Sequence, residues 1–145
     1  MIFLKTMRKL AEAFQSFEQL SSKHIRTLGL TPGQFDVIAT LGNQPPMTCS
    51  ELAEKALMVK GNLTVILDGL VKKGLITRTT NPSDGRSLII SLTAEGDNVF
   101  KEVFPTHLKY LQPLIKQFDI QELGELDKRL TKFCQQIETF SRNLK

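Results

Sequence analysis

The chain has 145 residues, 41% hydrophobic and 23% charged, a balance that fits a folded domain and excludes a disordered tail. A length of this kind holds one compact domain, or a small reading head with a dimerisation module attached. The formal net charge of +4 permits a polyanionic partner without requiring one. The stretch Met1–Lys9 lacks the apolar core and small-residue cleavage site of a signal peptide. No run approaches the roughly 20 apolar residues of a membrane span. Cys49 and Cys134 stand far apart and form no Cys-x-x-Cys pair, so the expected setting is the reducing cytoplasm.

In chain order, Phe3, Met7, Leu10, Phe14 and Phe17 recur at 4-3-4-3 spacing and predict one apolar stripe on a helix from Phe3 to about Leu28. Gly29 supplies its stop. Thr31-Pro32-Gly33-Gln34 opens a second helix, with Thr31 as cap, Pro32 in the first turn and Gln34 completing a capping box. Gly42 and Pro45-Pro46 end it. Thr48-Cys49-Ser50-Glu51 is a second capping box, opening a short helix that buries Leu52, Ala53 and Ala56. After a connection at Leu57-Met58-Val59, a third run from Lys60 to Lys73 places Leu63, Ile66, Leu67 and Leu70 inward. Gly74 closes it after two lysines that complement the helix end.

The period then becomes strand-like. Leu75–Thr79 and Leu88–Leu92 flank the polar segment Asn81–Gly85 and predict a β-hairpin. Thr93 caps a further helix, which Pro105 is expected to kink and Pro113 to bend or end. In the last run Leu123, Leu126, Leu130, Phe133, Ile137, Phe140 and Leu144 follow a 3-4 alternation, a heptad seam over three repeats. Both termini therefore ask for helical partners. A second copy of the chain is the simplest one, because two-fold homodimers dominate known oligomers; packing within the chain is the alternative.

The expected fold is mainly α with a small β-hairpin wing (α+β): a winged helix-turn-helix at residues 31–96, with terminal dimerisation helices at 1–30 and 97–145. Such a unit places its second helix in the major groove, where side chains meet base edges. The hairpin reaches the adjoining minor groove, whose negative potential favours an arginine.

Six stretches, in this order and spacing, resemble the MarR family of bacterial regulators over nearly the whole chain. They are Ser50-Glu51-Leu52-Ala53-Glu54-Lys55, Lys60-Gly61-Asn62-Leu63-Thr64, Leu67-Asp68, Lys72-Lys73-Gly74-Leu75-Ile76, Asn81-Pro82-Ser83-Asp84-Gly85-Arg86-Ser87 and Ser91-Leu92-Thr93-Ala94-Glu95-Gly96. The resemblance implies a homodimer with entwined terminal helices that regulates transcription, as a repressor, from a pseudo-palindromic double-stranded operator and is released by a signal. It places Lys60, Asn62, Thr64 and Val65 on the DNA face of the recognition helix. Asp84 holds the wing turn, and Arg86 reaches the minor groove. Three positions depart from the family pattern. Val59 replaces a capping Ser, Gly69 stands where an Arg often follows the Asp, and Gly85 stands where a first wing Arg is common.

Relatives in this family answer to small aromatic or anionic effectors or to thiol oxidation. Phe14, Phe17, His24 and Arg26 are the expected pocket residues where the first helix meets the reading head. Cys49, in the first turn of a helix, is the candidate redox residue, although a small buried hydrophobe is the commoner role of a free cysteine. His24 and His107 have no partner visible in the sequence, so neither a metal site nor any cofactor is expected. No nucleophile–base order and no phosphate-cradling loop appears, so no enzymatic turnover is expected. The competing classes are a winged-helix protein-interaction module and a thiol-redox-sensing regulator.

Overall fold

A computed structural model describes residues 1–56 and 60–144, with the backbone alone at Lys60 and Gly61. The order is α1 (Ile2–Thr27), α2 (Pro32–Leu41), β1 (Met47–Thr48), α3 (Cys49–Lys55), α4 (Lys60–Lys72), β2 (Ile76–Asn81), β3 (Asp84–Leu92), α5 (Ala94–Ile115) and α6 (Ile120–Asn143). The chain divides into two compact units, Met1–Tyr110 and Leu111–Lys145. The Leu57-Met58-Val59 connection, and with it the missing Ser cap at Val59, lies outside the described residues.

Both capping boxes form. Thr31 Oγ1 accepts from the Gln34 N–H at 3.2 Å, while Gln34 Oε1 accepts from the Thr31 N–H at 3.2 Å. Thr48 and Glu51 make the same exchange at 3.2 and 2.9 Å. These pairs satisfy backbone donors that no helical partner can reach, which is why the chain turns into α2 and α3 at these residues.

The first unit closes around one core. Val37 and Ile38 from α2, Leu52 from α3, Leu70 from α4 and Ile90 from β3 are its most completely enclosed side chains. Leu63, Leu67 and Leu70 form the buried face of α4, with Ile66 half-buried beside them. The strands form a three-stranded antiparallel sheet in the order β1-β3-β2, with Met47 opposite Ile90 and Ile76 opposite Leu92. Strand β1 is not foreseen from the sequence: two residues followed at once by a helix cap carry no alternation to read.

Two further differences concern boundaries. The hairpin strands extend to Asn81 and from Asp84, leaving Pro82-Ser83 as the turn. The side chains of the expected loop build this extension, since Asn81 Oδ1 accepts from the Ser83 N–H at 3.1 Å and Asn81 Nδ2 donates to Ser87 Oγ at 3.0 Å. Helix α5, expected to kink at Pro105 and to bend or end at Pro113, continues as one helical element through both to Ile115. Each proline removes one ladder donor, and the helical bonds on either side carry the element past it.

At the start of α5, Thr93 Oγ1 accepts from the Gly96 N–H at 3.0 Å and donates to the Gly74 carbonyl at 2.6 Å. Gly96 is required there by close approach, because a Cβ at this position would lie 1.9 Å from the Leu75 carbonyl oxygen.

Candidate nucleic-acid interface

Helix α4 presents its buried leucines to the core, which forces the residues between them outward. Asn62, Thr64 and Val65 are exposed, Val65 to 72%. Val65 is thereby left available to an external contact on the same face as Asn62 and Thr64. The backbone of Lys60 lies in the first turn of α4; its side chain lies outside the described residues.

The hairpin supplies the second part of the surface. Asp84 Oδ1 accepts from the Arg86 N–H at 3.0 Å, and the Asp84 carbonyl accepts from Ser87 Oγ at 3.2 Å. Asp84 thereby fixes the backbone from which the exposed Arg86 side chain projects. Gly85 is exposed, and a Cβ there would meet open space.

Arg78 was not singled out by the sequence reading. It joins the two parts: its guanidinium donates to Asp68 Oδ1 at 2.7 Å, tying β2 to α4. The available signal was strand alternation, which puts Arg78 on the same face of β2 as buried Ile76. Gly69 follows Asp68 in α4 and faces α2. A Cβ there would come 2.9 Å from the Gln34 amide nitrogen, so the absent arginine leaves room for α2. Lys73 also has a structural partner set, donating to the Gly29 carbonyl at 2.9 Å and to Gln34 Oε1 at 2.8 Å. It ties the end of α4 to the α1–α2 connection and to α2, whereas Lys72 has an exposed side chain at the end of α4.

The four expected pocket residues do not share one cavity. Phe14 lines a cavity of about 500 Å³ with Glu18, Asp36, Ala39, Thr40, Lys55 and Ala56. The Asp36 carboxyl is pushed up to about 6, mainly by desolvation and further by the charge of Glu18. Phe17 and Arg26 are exposed on α1. His24 instead stacks on Tyr110 and meets His107, Nδ1 to Nδ1, at 2.9 Å. Cys49 is half-buried against the core, and Cys134 is exposed on α6. Among the described residues, no group of three or more His, Cys, Asp or Glu side chains stands where it could hold a metal ion. None of the helices described is long and apolar enough to cross a membrane.

Comparison with known proteins matches these features. Residues 30–88 fit the MarR family model. The HTH-type transcriptional repressor MdtR of Bacillus subtilis (strain 168) is 30% identical over 126 residues, covering 87% of this chain and 81% of that protein. AbsC, a MarR family transcriptional regulator from Streptomyces coelicolor, superposes with a TM-score of 0.83 at 23% identity, covering 94% of each chain. A mutant MarR from E. coli complexed with operator DNA superposes with a TM-score of 0.78 at 26% identity, covering 90% of this chain and 94% of that one. Such relatives are transcriptional regulators and not enzymes. With a winged helix-turn-helix built on the capped helices α2 and α3 and on α4, an outward α4 face and a hairpin bearing Arg86, the chain belongs to the MarR family of DNA-binding transcriptional regulators.

Proposed function

We propose that this regulator is a homodimeric repressor of a pseudo-palindromic operator, released by a small aromatic effector. The observation that carries the reading is the pairing of an outward α4 face (Asn62, Thr64, Val65) with a wing bearing exposed Arg86, held together by the Arg78–Asp68 ion pair. In this arrangement Asn62 and Thr64 hydrogen-bond base edges, Val65 meets a thymine methyl and Lys60 meets phosphate or guanine. Arg86 enters the minor groove, with Asp84 fixing its backbone.

Dimerisation is supported by apolar surface that a single chain leaves open. On α6, Leu123, Leu126, Ile137 and Phe140 are 40–66% exposed, Leu130 and Phe133 are half-buried, and no residue of the helix is fully buried. On α1, Phe3, Phe14 and Phe17 are likewise exposed. Two such stripes are what a second copy covers.

The effector reading rests on the cavity at Phe14. Its volume suits a small molecule, and Phe14 offers a ring to stack on. Glu18 and Asp36 outnumber Lys55 in the lining and disfavour an anionic ligand there, so an uncharged aromatic is the fitting class.

Selection of bound duplexes from a random library, with sedimentation of the free protein, tests this reading. The expected result is a dimer that enriches two inverted half-sites about one helical turn (10–10.5 base pairs) apart. The expected salt dependence is steep. A protein that binds no duplex at low salt would remove the proposal and favour a protein-docking role for the wing.

A further inference from the structure

Two histidines that are 83 residues apart in the chain share one hydrogen bond in the first unit. His107 of α5 is buried and uses both ring nitrogens, Nδ1 toward His24 Nδ1 at 2.9 Å and Nε2 toward Ser21 Oγ at 2.9 Å. Ser21 is buried as well, on α1. His24 lies flat against Tyr110, with centroids 4.1 Å apart and planes 3° from parallel. The Phe35 ring of α2 closes the far side, edge-on to His107 at 4.9 Å. The flanking ionisable groups are Glu18, Lys23 and Arg26 on α1, Asp36 on α2 and Lys109 on α5. All of these are exposed except half-buried Glu18. Burial, and after it the charge of His24, holds the His107 imidazole below the ordinary histidine range.

Proton counting fixes what this pair tolerates. The Nδ1–Nδ1 contact needs one nitrogen with a hydrogen and one without. Two neutral rings carry two protons and satisfy it. One added proton is accommodated on an Nε2 atom, with the Ser21 hydroxyl turning to accept where that atom is the Nε2 of His107. A fourth proton places N–H on both Nδ1 atoms across 2.9 Å, setting hydrogen against hydrogen and charge against charge. The contact then opens.

We propose that the His24–His107 pair is a proton-operated latch between α1 and α5, closed at neutral pH and opened by acid. Its effect on operator binding rests on the DNA-binding reading above. With His107 depressed, the unfolded chain takes up more protons than the folded one as pH falls through the usual histidine range. The latch therefore adds stability above that range and loses it below. Acid loosens α1 from α5, and binding to DNA weakens with it.

The test follows imidazole NMR signals and thermal melting of the full chain between about pH 7.5 and about pH 5.5. In parallel it measures binding to a duplex selected from a random library at the upper pH, for wild type, His24→Gln and His107→Gln. Glutamine can still hydrogen-bond across the gap but takes up no proton. Relative to His107→Gln, which shares the opposite contribution of Asp36, the wild type is expected to melt lower and to bind the duplex about tenfold more weakly at the acid end. His107→Gln should show a much flatter response, and His24→Gln, which leaves the buried His107 imidazole to titrate, a partly reduced one. A His107 ring that titrates at or above the ordinary histidine range, or a variant as acid-sensitive as wild type, would overturn the latch. If no duplex is selected, the operator reading fails, and the NMR and melting data still decide the latch.

Discussion

Removing the guanidinium of Arg86 (Arg86→Ala) is expected to weaken duplex binding by about 1–3 kcal/mol with helical circular dichroism unchanged. The side chain is exposed, and the turn is held by Asp84 through the backbone of residue 86, so the fold does not depend on it. Unaltered affinity would take Arg86 out of the interface. Its neighbour gives the converse test. Gly85 faces open space, so Gly85→Arg adds a cation at the wing without a clash. The expected outcome is tighter binding and a log–log salt slope steeper by about 1. Asp36 titrates against stability. Its proton is held more tightly folded than unfolded, so the stability tied to that proton is present below the unfolded aspartate range. It is lost as pH rises through about 6. Asp36→Asn should therefore raise the melting temperature near neutral pH and change it little in acid; an equal shift at both would locate the effect elsewhere.

Among the elements, the start of α5 is the least tolerant. Gly96→Ala drives a Cβ into the Leu75 carbonyl, a backbone atom that cannot turn aside. The expected loss in urea unfolding is about 1–3 kcal/mol, and an unchanged midpoint would mean that α5 can shift without cost. This contact could not be read from the sequence, where Thr93-Ala94-Glu95-Gly96 announces only a capped helix. The same limit applies to Gly42, legible as a stop signal. The left-handed residue is in fact Asn43, and Gly42 leaves space for the ring of Phe100. Local chemistry was legible: the caps at Thr31 and Thr48, the leucine face of α4 and the hairpin all follow from neighbours within four residues. Pairings across many residues were not. Arg78 with Asp68, Lys73 with Gly29 and His24 with His107 each join segments whose approach only the packed core decides. For the same reason the outward α4 face could be named from its motif, whereas the residues expected to form one pocket are dispersed.

For the molecule as a whole, the heptad seam of α6 is the feature most open to test. Leu126 and Ile137 are about half exposed within one chain, so Leu126→Glu with Ile137→Glu removes little single-chain packing. The double variant is expected to sediment as a monomer with normal helix content and to lose high-affinity duplex binding, since one reading head keeps only half the contacts. A variant that remains dimeric would place the association elsewhere. The bridge made by Thr93 also bears on how such regulators are recombined. One hydroxyl links the carbonyl that ends the α4 turn to the amide that begins α5. A chimera splicing this reading head onto a relative's terminal helices therefore keeps the bridge intact if its crossover falls after Gly96. A junction upstream of Thr93 is tolerated only where the relative carries the same Thr and Gly, because any other residue at the second position sets a Cβ against the Leu75 carbonyl.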